Sequence, residues 1–325
     1  MAKRPREPYR PRWDMPHGSA TDYDRGDERQ AIEEQLAAGG LRQAGGRRHL
    51  VLPDHGTLLV FTDLHGNLED FERLRALYLE ALAGHPETHL ALLGDLVHGP
   101  DGWFAEHDPA LYGFEDRSWE VAEGVMDLRR RYPRRVHLLL GNHDHGHIGG
   151  EHTSKFHPDE VEHLESRLTG EQVGRLHALF RGALLMLLAP CGAVLAHGSP
   201  DDSLRDLEQL DALSLEPGEN DVEGQRVLRS LLTSYGQQAE VTDRLLATLA
   251  RETGLELTLV VHGHDRDEEG YFEENGNQVC PVLFGAPRES KRYLRLDLGA
   301  HYGGPADLRH GAEIRRLHGA RSARP

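Results

Sequence analysis

Polar side chains that can bind metals recur in five short clusters along the chain. The clusters are Asp63-Leu64-His65, Gly94-Asp95, Gly141-Asn142-His143-Asp144, His197-Gly198 and Gly263-His264. Carboxylate, imidazole and amide groups are the mixed oxygen and nitrogen ligands that suit Mn, Fe or Zn, whereas a structural zinc site would use thiolates. Two such cations roughly 3.5–4 Å apart can clamp a phosphoryl group and activate a water molecule. The residue types therefore predict metal-assisted hydrolysis.

The five clusters share a position relative to the predicted strands. Each begins where an apolar run stops, and these runs are TLLVFT (57–62), HLALL (89–93), VHLLL (136–140), AVLA (193–196) and LTLVV (257–261). The carboxyl ends of strands in an α/β sheet form the crevice in which ligands bind. We therefore expect the clusters to converge in space, although the chain separates them widely. Asp63 could alternatively cap the helix predicted to begin near Leu68.

Helical patterns alternate with these strands. They cover residues 68–83, 118–132, 158–180 and 201–253, the last with a break at 217–220. A strand at 184–188 precedes the one at 193–196, and the pattern between residues 271 and 298 contains strands alone. Continuous apolar strands that alternate with helices indicate sheets buried on both faces.

The motifs, taken in order, resemble a known family. The set D-x-H, G-D, G-N-H-D, H-G and G-H is similar to the calcineurin-like metallophosphoesterases, in their bacterial and protein-phosphatase-like branch, over about residues 57–266. The resemblance implies an α/β fold, a four-layer α/β/β/α sandwich of two mixed β-sheets flanked by helices. It also implies a hydrolase of phosphate esters with two metals, in which a metal-bridging water or hydroxide attacks in line.

The resemblance implies a role for each polar residue. Asp63 and His65 would bind the first metal, and Asp95 would bridge both metals. Asn142, His197 and His264 would complete the coordination of the second metal. Mn²⁺ and iron (Fe²⁺ or Fe³⁺) are preferred over Zn²⁺ on ligand type.

The remaining roles concern the reacting phosphate. The resemblance implies that His143 protonates the leaving oxygen or steadies the charge of the transition state. Protein phosphatases of the family carry G-D-x-V-D-R-G, whereas this chain reads GDLVHGP over residues 94–100. His98 therefore stands where those proteins have the Asp that partners the acid His, and Gly99 stands where they have an Arg that binds phosphate. Many members also close with G-H-x-H, where this chain has Arg266. We interpret His98 and Arg266 as substrate-binding residues. Asp144 either orients His143 or caps the following segment.

Several functions are compatible with these motifs. The substrates, in order of preference, are a small phosphomonoester or nucleotide, a phosphodiester and a phosphoprotein. A Ser/Thr phosphoprotein phosphatase or a dinucleoside polyphosphate hydrolase of the same family is the alternative. A non-catalytic scaffold with this fold is the alternative of another class, but such members tend to lose ligands or the acid His, which this chain retains.

Composition narrows the partners and the compartment. The chain has 54 acidic and 37 basic residues and a net charge of -17, which argues against a protein that coats nucleic acid. Cys191 and Cys280 are its only cysteines, which fits a reducing compartment. The longest apolar stretch, 182–196, is too short and too broken to span a bilayer, which needs about 20 apolar residues. We expect a cytoplasmic protein without membrane contact, and the sequence leaves its oligomeric state open.

The predicted organisation has three parts. Residues 1–45 form a flexible N-terminal extension with a short helix near residues 27–38. Residues 46–300 form one domain, in which residues 201–253 are a helical, cap-like insertion. Residues 301–325 form a loose C-terminal tail.

Overall fold

Two mixed β-sheets form the centre of the computed structural model, which describes residues 47–319. The strands are, in chain order, β1 (His49–Val51), β2 (Thr57–Phe61), β3 (Thr88–Leu92), β4 (Val136–Leu138), β5 (Met186–Ala189), β6 (Ala193–Leu195), β7 (Leu259–Val261), β8 (Tyr271–Glu274), β9 (Gln278–Pro281), β10 (Arg292–Asp297) and β11 (Ile314–Arg316). One sheet has the order β11-β10-β2-β3-β4, and the other has the order β1-β5-β6-β7-β9-β8.

The five strands that precede the polar clusters belong to the parallel parts of these sheets, with β4 at the edge of the five-stranded sheet. In the five-stranded sheet, β2, β3 and β4 run parallel, and β10 pairs antiparallel with both β2 and the edge strand β11. In the six-stranded sheet, β6, β7 and β9 run parallel. The carboxyl ends of β2, β3, β4, β6 and β7 therefore deliver the clusters.

Helices cover the outer faces of both sheets. They are α1 (Leu68–Gly84), α2 (Gly102–His107), α3 (Pro109–Tyr112), α4 (Ser118–Arg131), α5 (Asn142–His145), α6 (Glu160–Glu165), α7 (Gly170–Arg181), α8 (Leu207–Ala212), α9 (Val222–Thr233) and α10 (Ala239–Thr253). Short 3₁₀ turns occupy Gly146–Ile148 and Pro305–Asp307. None of the helices between residues 47 and 319 is long and apolar enough to cross a membrane.

The strands separate two apolar cores because successive side chains point to opposite faces. In β2, Leu58 and Val60 pack between the two sheets, whereas Leu59 and Phe61 pack outward. The outward residues share a core with Phe71 and other apolar residues of the helices. This arrangement of helix, sheet, sheet and helix confirms the predicted four-layer fold.

The first helix shows how local sequence positions the site. The Asn67 side chain accepts a hydrogen bond from Asp70 N at 3.1 Å and so caps α1. Phe71, Leu74 and Tyr78 lie on one face of α1 at helical spacing and are buried. Because Asn67 supplies the cap, Asp63 does not have this role.

Two predicted segments differ from the structure. The helical stretch 201–253 is present as α8, α9 and α10, but Leu231 and Leu245 share a core with Val194 and Val260 of the sheet, so these helices form an outer layer of the fold. The predicted loose tail is wrong over residues 301–319. There β11 pairs with β10, and His318 Nε2 lies 2.7 Å from Asp70 Oδ1. The predicted N-terminal extension and its short helix lie outside the described residues.

Candidate metal centre

Backbone hydrogen bonds draw the five clusters together. Leu64 N and His65 N both donate to the carbonyl of Asp95 at 2.9 Å, which joins the first cluster to the second. Gly263 N donates to the carbonyl of His197 at 2.8 Å. His264 N donates to the Asp63 carboxylate at 3.2 Å, which joins the two sheets. The predicted convergence therefore occurs at one end of the sandwich.

Six side chains form a ligand cluster at this end, and we use that name for Asp63, His65, Asp95, Asn142, His197 and His264. Asp95 lies at its centre, with Oδ2 3.6 Å from His65 Nε2 and 3.4 Å from His197 Nε2. Asn142 Oδ1 lies 3.1 Å from His197 Nε2 and 3.0 Å from His264 Nδ1. Two groups of donor atoms thus meet at Asp95.

Two imidazoles of the ligand cluster are oriented by backbone carbonyls. His65 Nδ1 donates to the carbonyl of His98 at 3.2 Å, and His197 Nδ1 donates to the carbonyl of Leu93 at 2.7 Å. The proton on Nδ1 leaves a lone pair on Nε2, which in both rings faces Asp95. A ring held in this way is typical of metal-ligating histidines.

The backbone at the ligand cluster is strained. Six non-glycine residues among residues 47–319 have positive φ, and five of them belong to the polar clusters or lie just beyond: Asp63, His65, Asp95, His98 and His264. The φ values of Asp95 and His264 are 51° and 67°. Such conformations cost roughly 1–3 kcal/mol each and concentrate at functional sites.

Glycines allow the carboxylates to approach neighbouring backbone. A Cβ atom at Gly263 would lie 2.5 Å from Asp63 Oδ2, and one at Gly141 would collide with Asp95 Oδ1 and Asp95 N. The glycines of the G-N-H-D and G-H motifs are therefore needed for this close packing.

The electrostatics of the ligand cluster suit bound cations. Burial is the main cause that raises the pKa of Asp63 to about 7, with His197 opposing the rise and Asp95 adding to it. Burial also lowers the pKa of His264 to about 4. Burial lowers the pKa of His65 as well, so His65 and His264 offer free lone pairs. In His197 burial opposes ionisation, but the Asp95 carboxylate raises the pKa to about 9, so a cation bound there would replace a proton. The buried carboxylates need a positive partner. These donors fit two divalent cations.

Comparison with known proteins agrees with this geometry. A family model described as calcineurin-like phosphoesterase matches residues 56–266, which is more than half of the chain. The chain belongs to the calcineurin-like phosphoesterase family. It is accordingly a metallophosphoesterase, a hydrolase of phosphoric esters. No curated protein sequence matches it.

Two solved phosphatase structures share the fold. A protein serine/threonine phosphatase from Saccharomyces cerevisiae with similarity to human phosphatase PP5 has a TM-score of 0.54 and 18% identity, covering 83% of this chain and 82% of that one. A cold-active protein-tyrosine phosphatase from a Shewanella species has a TM-score of 0.54 and 15% identity, covering 78% of each chain. At these identities the likeness concerns the fold alone.

His143 lies at the start of α5, beside the ligand cluster of this phosphoesterase. Its backbone N donates to Asp95 Oδ1 at 2.9 Å, and its ring lies edge-on to His65 with 4.6 Å between centroids. Asp144 accepts from Leu96 N at 2.9 Å and Gly141 N at 3.3 Å. Of the two roles considered for Asp144, these contacts favour capping.

His98 has a different position from the one expected of a substrate-binding residue. It is 3% exposed, and both ring nitrogens contact other histidines. Nδ1 lies 3.0 Å from His143 Nδ1, and Nε2 lies 2.9 Å from His147 Nε2. The expectation that His98 binds substrate is therefore revised, because its ring has no free polar atom to offer.

A cleft of about 600 Å³ opens over the ligand cluster. We call its outer side chains the cleft wall: Tyr112, Lys155, Tyr235, Arg266 and Phe284. Arg266 donates to Tyr112 Oη at 3.1 Å, and the Lys155 ammonium lies 4.2 Å from the centroid of the Phe284 ring. Arg266 thus lies at the cleft as expected, whereas Lys155 was missed, because nothing in its local sequence marks it as functional.

Gly99 occupies the position at which protein phosphatases of the family carry an Arg. A Cβ at Gly99 would lie 2.8 Å from Asp116 Cβ. Asp116 accepts from Ser118 N at 3.0 Å and pairs with Arg167 at 2.6 Å, so it is held in this place. A long side chain at residue 99 would displace it.

Proposed function

We propose that this metallophosphoesterase hydrolyses phosphate monoesters with two divalent cations held by the ligand cluster. The observation that carries the proposal is the arrangement around Asp95, where imidazole Nε2 atoms from both sheets approach one carboxylate oxygen. Asp63 and His65 would hold the first cation and Asp95 would bridge both. Asn142, His197 and His264 would complete the coordination of the second cation.

When bound, the two cations would supply Lewis acidity and activate a water for in-line attack, with Mn or Fe preferred over Zn. The residues of the chain do the remaining work. His143 lines the cleft beside Asp95 and His65, within reach of a phosphate ester placed over the ligand cluster. Its role would be to give a proton to the leaving oxygen.

The two cationic side chains of the cleft wall support a monoester substrate. Lys155 and Arg266 extend into the cleft from separate loops, and Arg266 passes over Gly285, where a Cβ would lie 2.7 Å from its Cγ. A monoester carries about two negative charges near pH 7 and a diester only one. The positive side chains of Lys155 and Arg266, in addition to the metals, therefore favour the monoester. Small esters and nucleotides both satisfy this requirement.

The same features make a protein phosphatase the weaker alternative. Gly99 stands where the G-D-x-V-D-R-G motif has its Arg, and Asp116 fills the space beside Gly99. The non-catalytic scaffold is weaker still, because all six residues of the ligand cluster and His143 converge at one site.

The test is metal removal followed by reconstitution with Mn²⁺, Fe²⁺, Zn²⁺ or Mg²⁺ and assays on p-nitrophenyl phosphate and bis-p-nitrophenyl phosphate. We expect metal-dependent turnover that favours the monoester. Asp95→Asn should lower both metal content and turnover. His143→Ala should lower the turnover of phenyl phosphate, whose leaving oxygen needs a proton, by ~10²–10⁴-fold with metal content unchanged. Stoichiometric metal binding without turnover of either ester would reject the enzyme and favour the scaffold.

A further inference from the structure

The Nδ1 side of His143 faces a buried polar group away from the cleft. Nδ1 lies 3.0 Å from His98 Nδ1, 3.1 Å from Thr153 Oγ1 and 3.3 Å from Glu160 Oε2. Thr153 precedes α6, and Glu160 is the first residue of α6. Residue 98 and the segment 153–160 thus meet at one nitrogen atom of His143.

Glu160 is a buried carboxylate with a specific orientation. Its side chain is 1% exposed, and Oε1 accepts from Phe156 N at 2.9 Å. This bond turns Oε2 toward the imidazoles of His143 and His98, at 3.3 and 3.7 Å. A buried carboxylate is costly unless a donor or positive group lies beside it. Of the two rings only His143 can donate to Oε2, because His98 Nδ1, at 3.7 Å, lies beyond hydrogen-bond distance.

A chain of imidazoles continues from His98 to the surface. His98 Nε2 lies 2.9 Å from His147 Nε2, and His147 Nδ1 lies 2.8 Å from Glu165 Oε1. Glu165 is the last residue of α6, and its side chain is 28% exposed. Glu160 and Glu165 therefore bracket the histidines from the two ends of one short helix.

The donors and acceptors of this chain can be assigned in order. The Glu165 carboxylate only accepts, so His147 carries its proton on Nδ1 and presents a lone pair on Nε2. His98 then donates from Nε2 and presents a lone pair on Nδ1. His143 in turn carries a proton on Nδ1, which His98 Nδ1 and Glu160 Oε2 can both accept.

We propose that Glu160, His98, His147 and Glu165 are positioning residues that fix the proton of His143 on Nδ1 and so direct its Nε2 into the cleft. The carboxylate that supports the acid histidine thus comes from α6, whereas the related protein phosphatases have an Asp where this chain has His98. The inference rests on the proposed function of His143. With Nδ1 protonated throughout, Nε2 binds a second proton from solvent, and the imidazolium gives this proton to the leaving oxygen.

The test compares two substrates that differ in their need for an acid. p-Nitrophenolate leaves readily without a proton, whereas phenolate, the leaving group of phenyl phosphate, depends on one. We expect Glu160→Gln to lower kcat by ~10–100-fold for phenyl phosphate and by less than ~3-fold for p-nitrophenyl phosphate, with metal content unchanged. Glu162→Gln, an exposed change on the same helix, is the control and should leave both values unaltered.

Double substitution separates positioning from damage to the fold. In a His143→Ala background, Glu160→Gln should cause no further loss, because it acts through the missing ring. Equal losses for both substrates, a further loss in that background, or a lower metal content would overturn the proposal.

A readout without turnover keeps the inference distinct from the proposed function. If wild-type protein hydrolyses neither ester, the proposed function fails. The position of the His143 ring proton can still be measured by nitrogen-15 NMR of the zinc-loaded protein. We expect the His143 ring to be protonated on Nδ1 in wild type and to lose this preference in Glu160→Gln, with a smaller change in Glu165→Gln. A wild-type ring protonated on Nε2 alone would contradict the proposal.

Discussion

The ligand cluster and the cleft wall lie side by side but are built in different ways. Asp95, at the centre of the ligand cluster, is 1% exposed, and backbone amides from two other polar clusters donate to its carbonyl or carboxylate oxygens. Tyr235, in the cleft wall, is 63% exposed and contacts His264 through its ring at 5.0 Å. The ligand cluster is held by strand ends, whereas loops hold the wall.

This difference separates chemistry from substrate choice. Strand ends are fixed by the hydrogen bonds of two sheets, so the donors around Asp95 can keep the geometry that the proposed cations require. Loops tolerate substitution and insertion, so changes in the cleft wall can alter substrate specificity while the metal-binding side chains stay the same. Substitutions in the ligand cluster should therefore lower kcat, and substitutions in the wall should mainly raise KM.

The largest effect is expected from Gly141→Ala, which adds one methyl group beside Asp95. The new Cβ would collide with Asp95 Oδ1 and with the less movable Asp95 N. A displacement of about 1 Å at a reacting centre can cost ~100-fold in rate. We expect kcat for p-nitrophenyl phosphate to fall by this order and metal content to drop, as measured by kinetics and atomic absorption.

The matched control is Gly174→Ala, in the middle of α7. A Cβ there meets no atom within 4 Å, and Ala is favoured over Gly inside a helix. Activity should be unchanged and the melting temperature equal or slightly higher. Full activity in Gly141→Ala would show that Asp95 can move without consequence, and the contrast between cluster and wall would fail.

The ligand cluster could be predicted because its signals coincide. Asp63 and Asp95 directly follow apolar strands, and parallel strands bring their carboxyl ends to one edge. Local sequence, sheet topology and ligand chemistry thus point to the same residues. The family resemblance then assigns each residue to a metal.

The supporting residues carry no comparable signal. Lys155, Thr153 and Glu160 lie in or beside an irregular loop, and their positions depend on how that loop packs across the cleft. The edge strands β1 and β11 were missed for a related reason, since each has three residues and no run of buried side chains. His98 was predicted to bind substrate because it aligns with an Asp of the protein phosphatases. That alignment predicts that His98 lies near His143, but it does not predict which side chains its ring contacts.

A smaller effect is expected from Lys155→Met, which removes one charge from the cleft wall. A charge-assisted contact is worth roughly 1.5–3 kcal/mol, so KM for p-nitrophenyl phosphate should rise by ~10–100-fold while kcat changes less. Steady-state kinetics with saturating Mn²⁺ measure both values. An equal fall in kcat would assign Lys155 to the chemistry of the ligand cluster rather than to the wall.

The pH dependence of KM sharpens the same prediction. Burial lowers the pKa of Lys155 to about 8, and the charge of Arg266 adds to this effect. The ammonium is therefore charged below pH 8 and neutral above it, so wild-type KM should rise as the pH increases through 8. Lys155→Arg, whose guanidinium stays charged, should lose this rise. A rise that persists in Lys155→Arg would mean that another group causes it.

The smallest effect is expected from Arg266→Ala at the exposed edge of the wall. Exposed charges contribute about 0.2–1 kcal/mol, so KM should increase only ~2–5-fold. Tyr112→Phe removes the hydroxyl that accepts from Arg266 at 3.1 Å and should reproduce part of this increase if that contact orients the guanidinium. Arg130→Ala, a change to a surface arginine of α4, serves as the control. Unchanged KM and kcat in Arg266→Ala would remove Arg266 from the substrate site and leave Lys155 as the phosphate contact of the wall.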